Sequence, residues 1–184
     1  DLRAGVSNVT GRELDIAING EGWIAVQGSD ESEGLSRRGD LRVDELGQLL
    51  DGAGRSIMGN SGPIALPPFS DIAIGTDGTI SIVPLGEDPN TLAVIDRIKL
   101  VNPDVSKAEK GFDGLIRVKE TDGQPLKADA SVTLTSGSLE SSNVSSVSSM
   151  VQMIELSRQF EQQVKIMKIA EQLDRASAEL MSVS

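Results

Sequence analysis

The side chains that carry most chemistry near neutral pH are missing from this sequence. Its 184 residues include no cysteine, no histidine and no tyrosine. Without cysteine there is no disulfide, thiol nucleophile or thiolate metal site. Without histidine there is no Ser-His-Asp triad, no imidazole ligand and no proton shuttle. A catalyst built from this chain would have to work through Asp, Glu, Lys or Ser alone, so no enzyme, cofactor or metal is expected. Charge excludes a second class. The 17 basic residues stand against 28 acidic ones, a formal charge of -11, whereas a nucleic-acid binder needs a basic patch to neutralise phosphates.

The few remaining spacings that could do chemistry have plainer readings. Gly20-Glu21-Gly22 contains a GxG, but a dinucleotide loop must open a helix, and Trp23 to Val26 read as a strand. Asp77-Gly78-Thr79 is similar to part of a calcium loop, yet the further carboxylates and closing Glu of an EF-hand do not follow. Asp30, Glu31 and Glu33 form an acidic cluster that reads as a solvated loop. Trp23 is the single tryptophan among four aromatics. A stacking platform would show several, so Trp23 reads as core. Too few aromatics are present to line a sugar cleft around a carboxylate pair.

Three zones position these residues. The first, up to about residue 135, holds 18 of the 19 glycines and all seven prolines. Its short Val, Ile and Leu runs between turn signals predict a mainly β fold, an irregular domain of hairpins like a small sandwich or barrel. Leu14, Ile16 and Ile18 alternate with Asp15, Ala17 and Asn19, predicting a half-buried strand. Asn19 to Gly22 then turn into Trp23–Val26 as a hairpin. Further hairpins are expected at Asp51-Gly52-Ala53-Gly54 and at Thr76-Asp77-Gly78-Thr79, with longer strands at 93–101, 114–118 and 131–135.

A Ser-rich stretch, 136–149, leads into residues 147–181, which contain no Gly or Pro and predict one long helix with Ser145 or Ser146 as N-cap. The division is a β-rich domain over 1–140 and a terminal helix over 141–184. Met150, Met153, Ile154, Phe160, Val164, Met167, Ala170, Leu173 and Leu180 recur mostly at three- and four-residue steps. They predict an apolar stripe, widened by Ile166, Ile169 and Ala176. The methionines, Met181 included, suit an adaptable apolar face. At 1.5 Å per residue the helix spans about 50 Å, longer than one side of such a β-domain, so the stripe needs a partner in this chain or another. Residues 1–147 carry 13 basic and 23 acidic side chains; residues 148–184 carry four and five. The acidity belongs to the β part, and the nearly neutral helix suits close packing among helices. No apolar run approaches the roughly 20 residues of a bilayer span. The chain opens on Asp1 without a signal-peptide pattern, and a preceding segment is expected.

The motifs carry a resemblance. Thr10-Gly11-Arg12-Glu13-Leu14-Asp15-Ile16-Ala17-Ile18-Asn19-Gly20-Glu21-Gly22-Trp23 resembles the T-x-R-x-LDxAIxGxGWF stretch of flagellar rod and hook axial proteins. Arg38-Gly39-Asp40, Asp44, Gly47-Gln48-Leu49-Leu50 and Gly54 resemble that family's TRxGxFxxDxxGxLVxxxG segment. Leu35-Ser36 stand where a Tyr-Thr pair is usual, and Leu41 where Phe is usual. Ser136-Gly137-Ser138-Leu139-Glu140-Ser141-Ser142-Asn143-Val144 is similar to the family's xGxLExSNV. Arg97 to Pro103, Gly111 to Arg117 and Met153 to Glu161 look most like the proximal-rod branch, with a distal-rod or hook-type protein as the alternative.

The resemblance implies a non-enzymatic subunit of the periplasmic drive shaft of the bacterial flagellum, exported by the flagellar type III apparatus. It also implies a hetero-oligomeric axial assembly with other rod subunits. In it an N-terminal helical segment, absent from this sequence, pairs with the terminal helix in an inner tube, and the β-rich domain lies outside. From another class, a secreted β-domain that binds a wall polymer or protein would show a ligand groove around Trp23. A carboxylate hydrolase, a third class, would show a close, partly buried acid pair in a cleft.

Overall fold

A computed structural model of the chain describes residues 5–88, 90–118, 126–142 and 146–182, with backbone alone at 105, 146–149 and 173–182. The chain divides into two compact units, Asp1–Ser141 and Ser142–Ser184. Among the described residues the first is all β apart from one 3-10 turn, Val105–Lys107; the second carries a single helix, α1, Ser146–Ser182. The mainly β class with one C-terminal helix is what the turn spacing and the Gly- and Pro-free run dictate. The described strands form several small sheets and no closed barrel.

The largest sheet has five antiparallel strands in the order β10 (Leu100–Val101), β3 (Trp23–Gln27), β4 (Glu33–Ser36), β12 (Ile116–Val118) and β11 (Ala108–Lys110). Both of its faces are buried. Successive side chains of a strand point to opposite faces, so Ile24 and Val26 enter the main core, while Trp23 joins Leu35, Val101 and Ile116 in a second cluster. The register agrees: Val101 lies opposite Trp23, and Leu35 opposite both Ala25 and Ile116. The main core is aliphatic, with Ile16, Leu41, Leu49, Ile57, Ile80 and Leu134 fully buried. Each such side chain contributes about 1.5–3 kcal/mol. A three-stranded sheet, β7 (Phe69–Ile74), β8 (Thr79–Pro84) and β9 (Ala93–Arg97), adds Ile72, Ile74, Ile80 and Ile82. A short ribbon of β5 (Arg42–Val43) and β6 (Leu49–Leu50) contributes Leu49.

The Thr76–Thr79 turn forms as expected. Gly78 has φ 86°, Asp77 Oδ1 accepts the Thr79 amide at 3.1 Å, and Ile74 faces Ile80. The turn at 51–54 also forms: the amides of Ala53 and Arg55 both donate to Asp51 Oδ1 at 2.9 Å, and Leu50 bridges Ser56. The hairpin expected at Asn19–Gly22 does not form. The chain turns there, with Gly20 at φ 75° and Gly22 at φ 136°. However, β2 (Ile16–Asn19) pairs with β13 (Thr133–Ser136), and β3 pairs with β4 and β10. The expected strand over 93–101 is interrupted between β9 and β10, which belong to different sheets. Nor is β2 half-buried. Ala17 and Asp15 are buried beside Ile16 and Ile18, because a second layer covers the face that alternation assigned to solvent.

Residues 7–9 form β1, which pairs antiparallel with β14 (Ser138–Glu140), the last strand before the helical unit. Asp15 ties this ribbon to β2. Its carbonyl accepts the amides of Gly137 (2.7 Å) and Ser138 (3.3 Å). Its buried carboxylate accepts the Thr10 hydroxyl at 2.6 Å and lies 3.5 Å from the Arg12 guanidinium. At the far end of the five-stranded sheet, Arg117 on β12 grips Asp113 with both terminal nitrogens (3.0 and 2.8 Å) and reaches Asp30 in the β3–β4 loop at 3.1 Å. The guanidinium hydrogen bonds, reinforced by the Leu115 amide, hold the Asp113 carboxyl down at about 2. Asp30 is lowered first by the Ser32 hydroxyl and only last by Arg117.

Two outcomes follow from these contacts. A Cβ at Gly39 would run into the Ile16 carbonyl oxygen, whereas Gly11 has φ 76° and open space. Urea unfolding should show Gly39→Ala losing about 2–4 kcal/mol and Gly11→Ala only about 1 kcal/mol; equal losses would contradict the packing at Gly39. Asp113 has its carboxyl below the unfolded value near 3.9, so its stabilising contribution is complete above that value and fades as pH falls toward 2. The Asp113→Asn variant should therefore be less stable than the parent at pH 5, and the gap should narrow by pH 2.5.

Candidate assembly interface

The 37-residue helix α1 is built from good helix formers with no Gly or Pro. At 1.5 Å per residue it is about 55 Å long. Residue 145, one of the two expected N-caps, lies outside the described residues, and the helix begins at the other, Ser146. From Met150 to Gln172 every side chain is exposed except Val164, which is half-buried. Phe160 is 67% exposed, and Met150, Met153, Ile154 and Met167 are comparable; Ala170 is exposed as well. The side chains of Leu173, Ala176, Leu180 and Met181 lie outside the described residues, on backbone that is helical.

Helical geometry spreads these apolar side chains over two sides. At about 100° per residue, Met153, Phe160, Val164 and Met167 fall within one sector. Val151 and Ile169 fall nearly opposite, with Ile166 beside them and Ile154 between the two sides. The repeated three-residue steps, as from Met150 to Met153 and Met167 to Ala170, lag the 3.6-residue turn. The stripe read from spacing therefore winds around the helix instead of keeping to one face. A shallow depression beside it is lined by Phe160, Glu161, Val164, Lys165 and Lys168. Glu161 and Lys165 stand there in the favourable i,i+4 order. No helix of the described residues is long and apolar enough to cross a membrane.

In the β unit the site residues weighed in the sequence engage partners within the chain. Trp23 is only 6% exposed, and the Arg37 guanidinium lies 5.6 Å from its ring centroid. The groove required of a wall-binding module is thus closed at that residue. A second cavity, lined by Val101–Pro103 and Leu126–Ala130, contains neither Trp23 nor a pair of acids. In the 30–33 loop the acids engage cations of the chain itself: Glu33 bonds Lys99 at 2.7 Å and Asp30 bonds Arg117. Among the described residues no group of three or more acidic side chains could hold a metal ion.

Sequence reasoning missed the polar knot where the chain passes from the β unit toward α1. Arg37 donates from Nε to Glu140 Oε2 at 2.8 Å, from Nη1 to the Gly22 carbonyl at 2.8 Å and from Nη2 to the Gly20 carbonyl at 3.0 Å. Glu140 Oε1 accepts the Gly5 amide at 2.6 Å. Both charged side chains are largely buried. The two residues are 103 positions apart, so no local spacing signals their meeting. Their only sequence signal is that each sits in a stretch resembling a motif of the same family.

The comparisons with known proteins agree with that likeness. Residues 17–82 match the family model described as the flagellar hook protein FlgE/F/G D1 domain. Residues 135–180 match that of the flagellar basal body rod FlgEFG protein C-terminal region. The flagellar basal-body rod protein FlgF of Escherichia coli is 39% identical over an alignment spanning the whole chain and 74% of that protein. FlgF of Salmonella typhimurium is 38% identical over the same shares. FlgG of Bacillus subtilis, a second basal-body rod protein, is 29% identical over 89% of this chain and 64% of its own length. These relatives are structural proteins of the flagellum and not enzymes. With such identity along its full length, the chain belongs to the flagellar basal-body rod protein family, on its FlgF branch.

Proposed function

We propose that the chain is a structural subunit of the bacterial flagellar basal-body rod and polymerises through α1 into the periplasmic drive shaft needed for motility. One observation carries the assembly reading: a neutral helix of 37 residues bears exposed apolar side chains on two nearly opposite sides. A helix apolar on more than one side belongs inside a layer of other helices. Withdrawing Phe160, Met153, Met167, Ile154 and Ile169 from water is worth about 1.5–3 kcal/mol each. One of the covering helices would be the N-terminal helical segment that the family resemblance implies, paired with α1. The remainder come from neighbouring rod subunits.

Contacts between different patches of successive subunits propagate along an axis when the rotation does not close. They make the assembly hetero-oligomeric where the neighbour is another rod protein. The interface comprises Met150, Met153, Ile154, Phe160, Val164, Met167, Ala170, Leu173 and Leu180. The acidic β unit lies outside the helical layer and adds lateral contact and torsional stiffness. The subunit reaches its place through the flagellar type III export apparatus.

Two paired substitutions test the reading. Phe160→Asp with Val164→Asp places charge on one side of α1, and Val151→Asp with Ile169→Asp places it on the other. Each pair should abolish incorporation into isolated basal bodies and stop swimming in soft agar, while thermal unfolding of the β unit stays within about 2 °C. If only the first pair were disruptive, α1 would pack through one seam. If neither were, assembly would not run through this helix.

A further inference from the structure

Among the described residues, polar contacts hold the β1–β14 ribbon to the rest of the β unit at each of its ends. At the Gly137 end the Asp15 carbonyl holds the amides of Gly137 and Ser138. At the other end Arg37 holds Glu140, and Glu140 in turn holds the Gly5 amide. Between them run only three residue pairs, Ser7 with Glu140, Asn8 with Leu139 and Val9 with Ser138. A two-stranded ribbon this short is marginal unless it is held from outside. Arg37 directly follows β4 and bonds the turn that leads into β3, so its tie connects β14 to the five-stranded sheet. Ser141 itself adds contacts within the ribbon: its amide and hydroxyl both donate to the Val6 carbonyl, at 2.8 and 3.0 Å.

We propose that the Arg37–Glu140 ion pair is a clamp that fixes where both ends of the chain leave the β unit, so that force arriving along α1 is passed to the sheet. Resting on the rod-subunit reading, the clamp gives that reading a mechanical element. The chemistry suits the task. Arg37 uses three nitrogens of a rigid planar fork on three different acceptors, two of them carbonyls of the Gly20–Gly22 turn that leads into β3. A pull on β14 is therefore resisted by the strand at the centre of the fold, through bonds largely shielded from water. Apolar contacts at this point would let the ribbon slide, whereas a fork of directed bonds fixes one position. Arg37 acts through Glu140, so it is a positioning residue.

The test uses the full-length chain, in which residues 1–184 contain no cysteine to compete with introduced ones. Glu140→Cys alone removes the clamp; combined with Ser7→Cys, its register partner, it allows a disulfide to replace the ion pair. Opposed residues of antiparallel strands have Cα separations within disulfide range. By hydrogen exchange, Glu140→Cys should speed the amides of Gly5 and Ser141 at least tenfold and leave those of Gly137, β3 and β8 unchanged. Swimming of cells that depend on this chain should fall, and the oxidised double variant should restore both. Unchanged exchange at Ser141 would overturn the clamp, as would acceleration throughout β3 and β8, which would make Glu140 an ordinary stability residue. Swimming that stays normal without the clamp would remove its mechanical role. Swimming lost but not restored by the disulfide would assign Glu140 to a contact with a neighbour instead. Cells that swim without this chain altogether would reject the rod-subunit reading, while the exchange result still reports on the clamp.

Discussion

The β unit depends on bringing together two pieces of chain whose paired residues lie 114 to 133 positions apart. Among the described strands β1 pairs with β14 alone, and β2 with β13 alone. Both pairings draw on the stretch just before the helix, so the first strands of the unit are completed by its last. Asp15 stands at the junction. Its carbonyl serves the β14 end of this stretch, and its buried carboxylate gathers the Thr10 hydroxyl and the Arg12 guanidinium. The Thr-x-Arg-x-Leu-Asp spacing is thus a polar closure among Thr10, Arg12 and Asp15, with Leu14 packed against the core. An aliphatic residue at position 15 would fit the strand pattern equally well but would leave Thr10 and Arg12 without this acceptor.

How much of this was legible depends on the sequence distance over which each feature is decided. The tight turns at 51–54 and 76–79 were readable because Asp and Gly set their geometry within four residues. The helix was readable because thirty-five residues without Gly or Pro leave few other options. The pairing of β2 with β13 was not, since the turn at Asn19–Gly22 is as compatible with a chain that changes sheets as with a hairpin. Alternation at 14–19 misled for a related reason. Period two reveals that a strand has two faces, but the covering of the second face is decided by distant residues. The alternative readings of Trp23 were resolved by the same kind of information: Leu35, Arg37, Val101 and Ile116 close over it from three separate parts of the chain.

The candidate interface shows a similar split between pattern and geometry. Apolar spacing along α1 picks out which residues are proposed for the interface, and accumulated phase decides where they point. A run of three-residue steps turns the stripe around the axis, and Val151, Ile154 and Ile169 come to lie away from Phe160 and Val164. This changes the physical meaning of the helix. One narrow seam is the mark of a two-stranded coil; two opposed apolar sides call for neighbours on both. Family likeness alone would not distinguish these arrangements, because both place apolar residues at the same positions in the sequence.

Long-range closure also constrains when the β unit can become complete. Local hairpins such as β7–β8 need only neighbouring residues and can form early. The β1–β14 and β2–β13 ladders carry the loop-closure cost of almost the whole unit and form only once residues 133–140 are available. Arg37 and Glu140 meet at that same final step. Until then the chain lacks the β1–β14 ribbon, the last strand pairing before α1 among the described residues. The acidic β unit, whose like charge opposes association with copies of itself, is complete only when its last strands are in place.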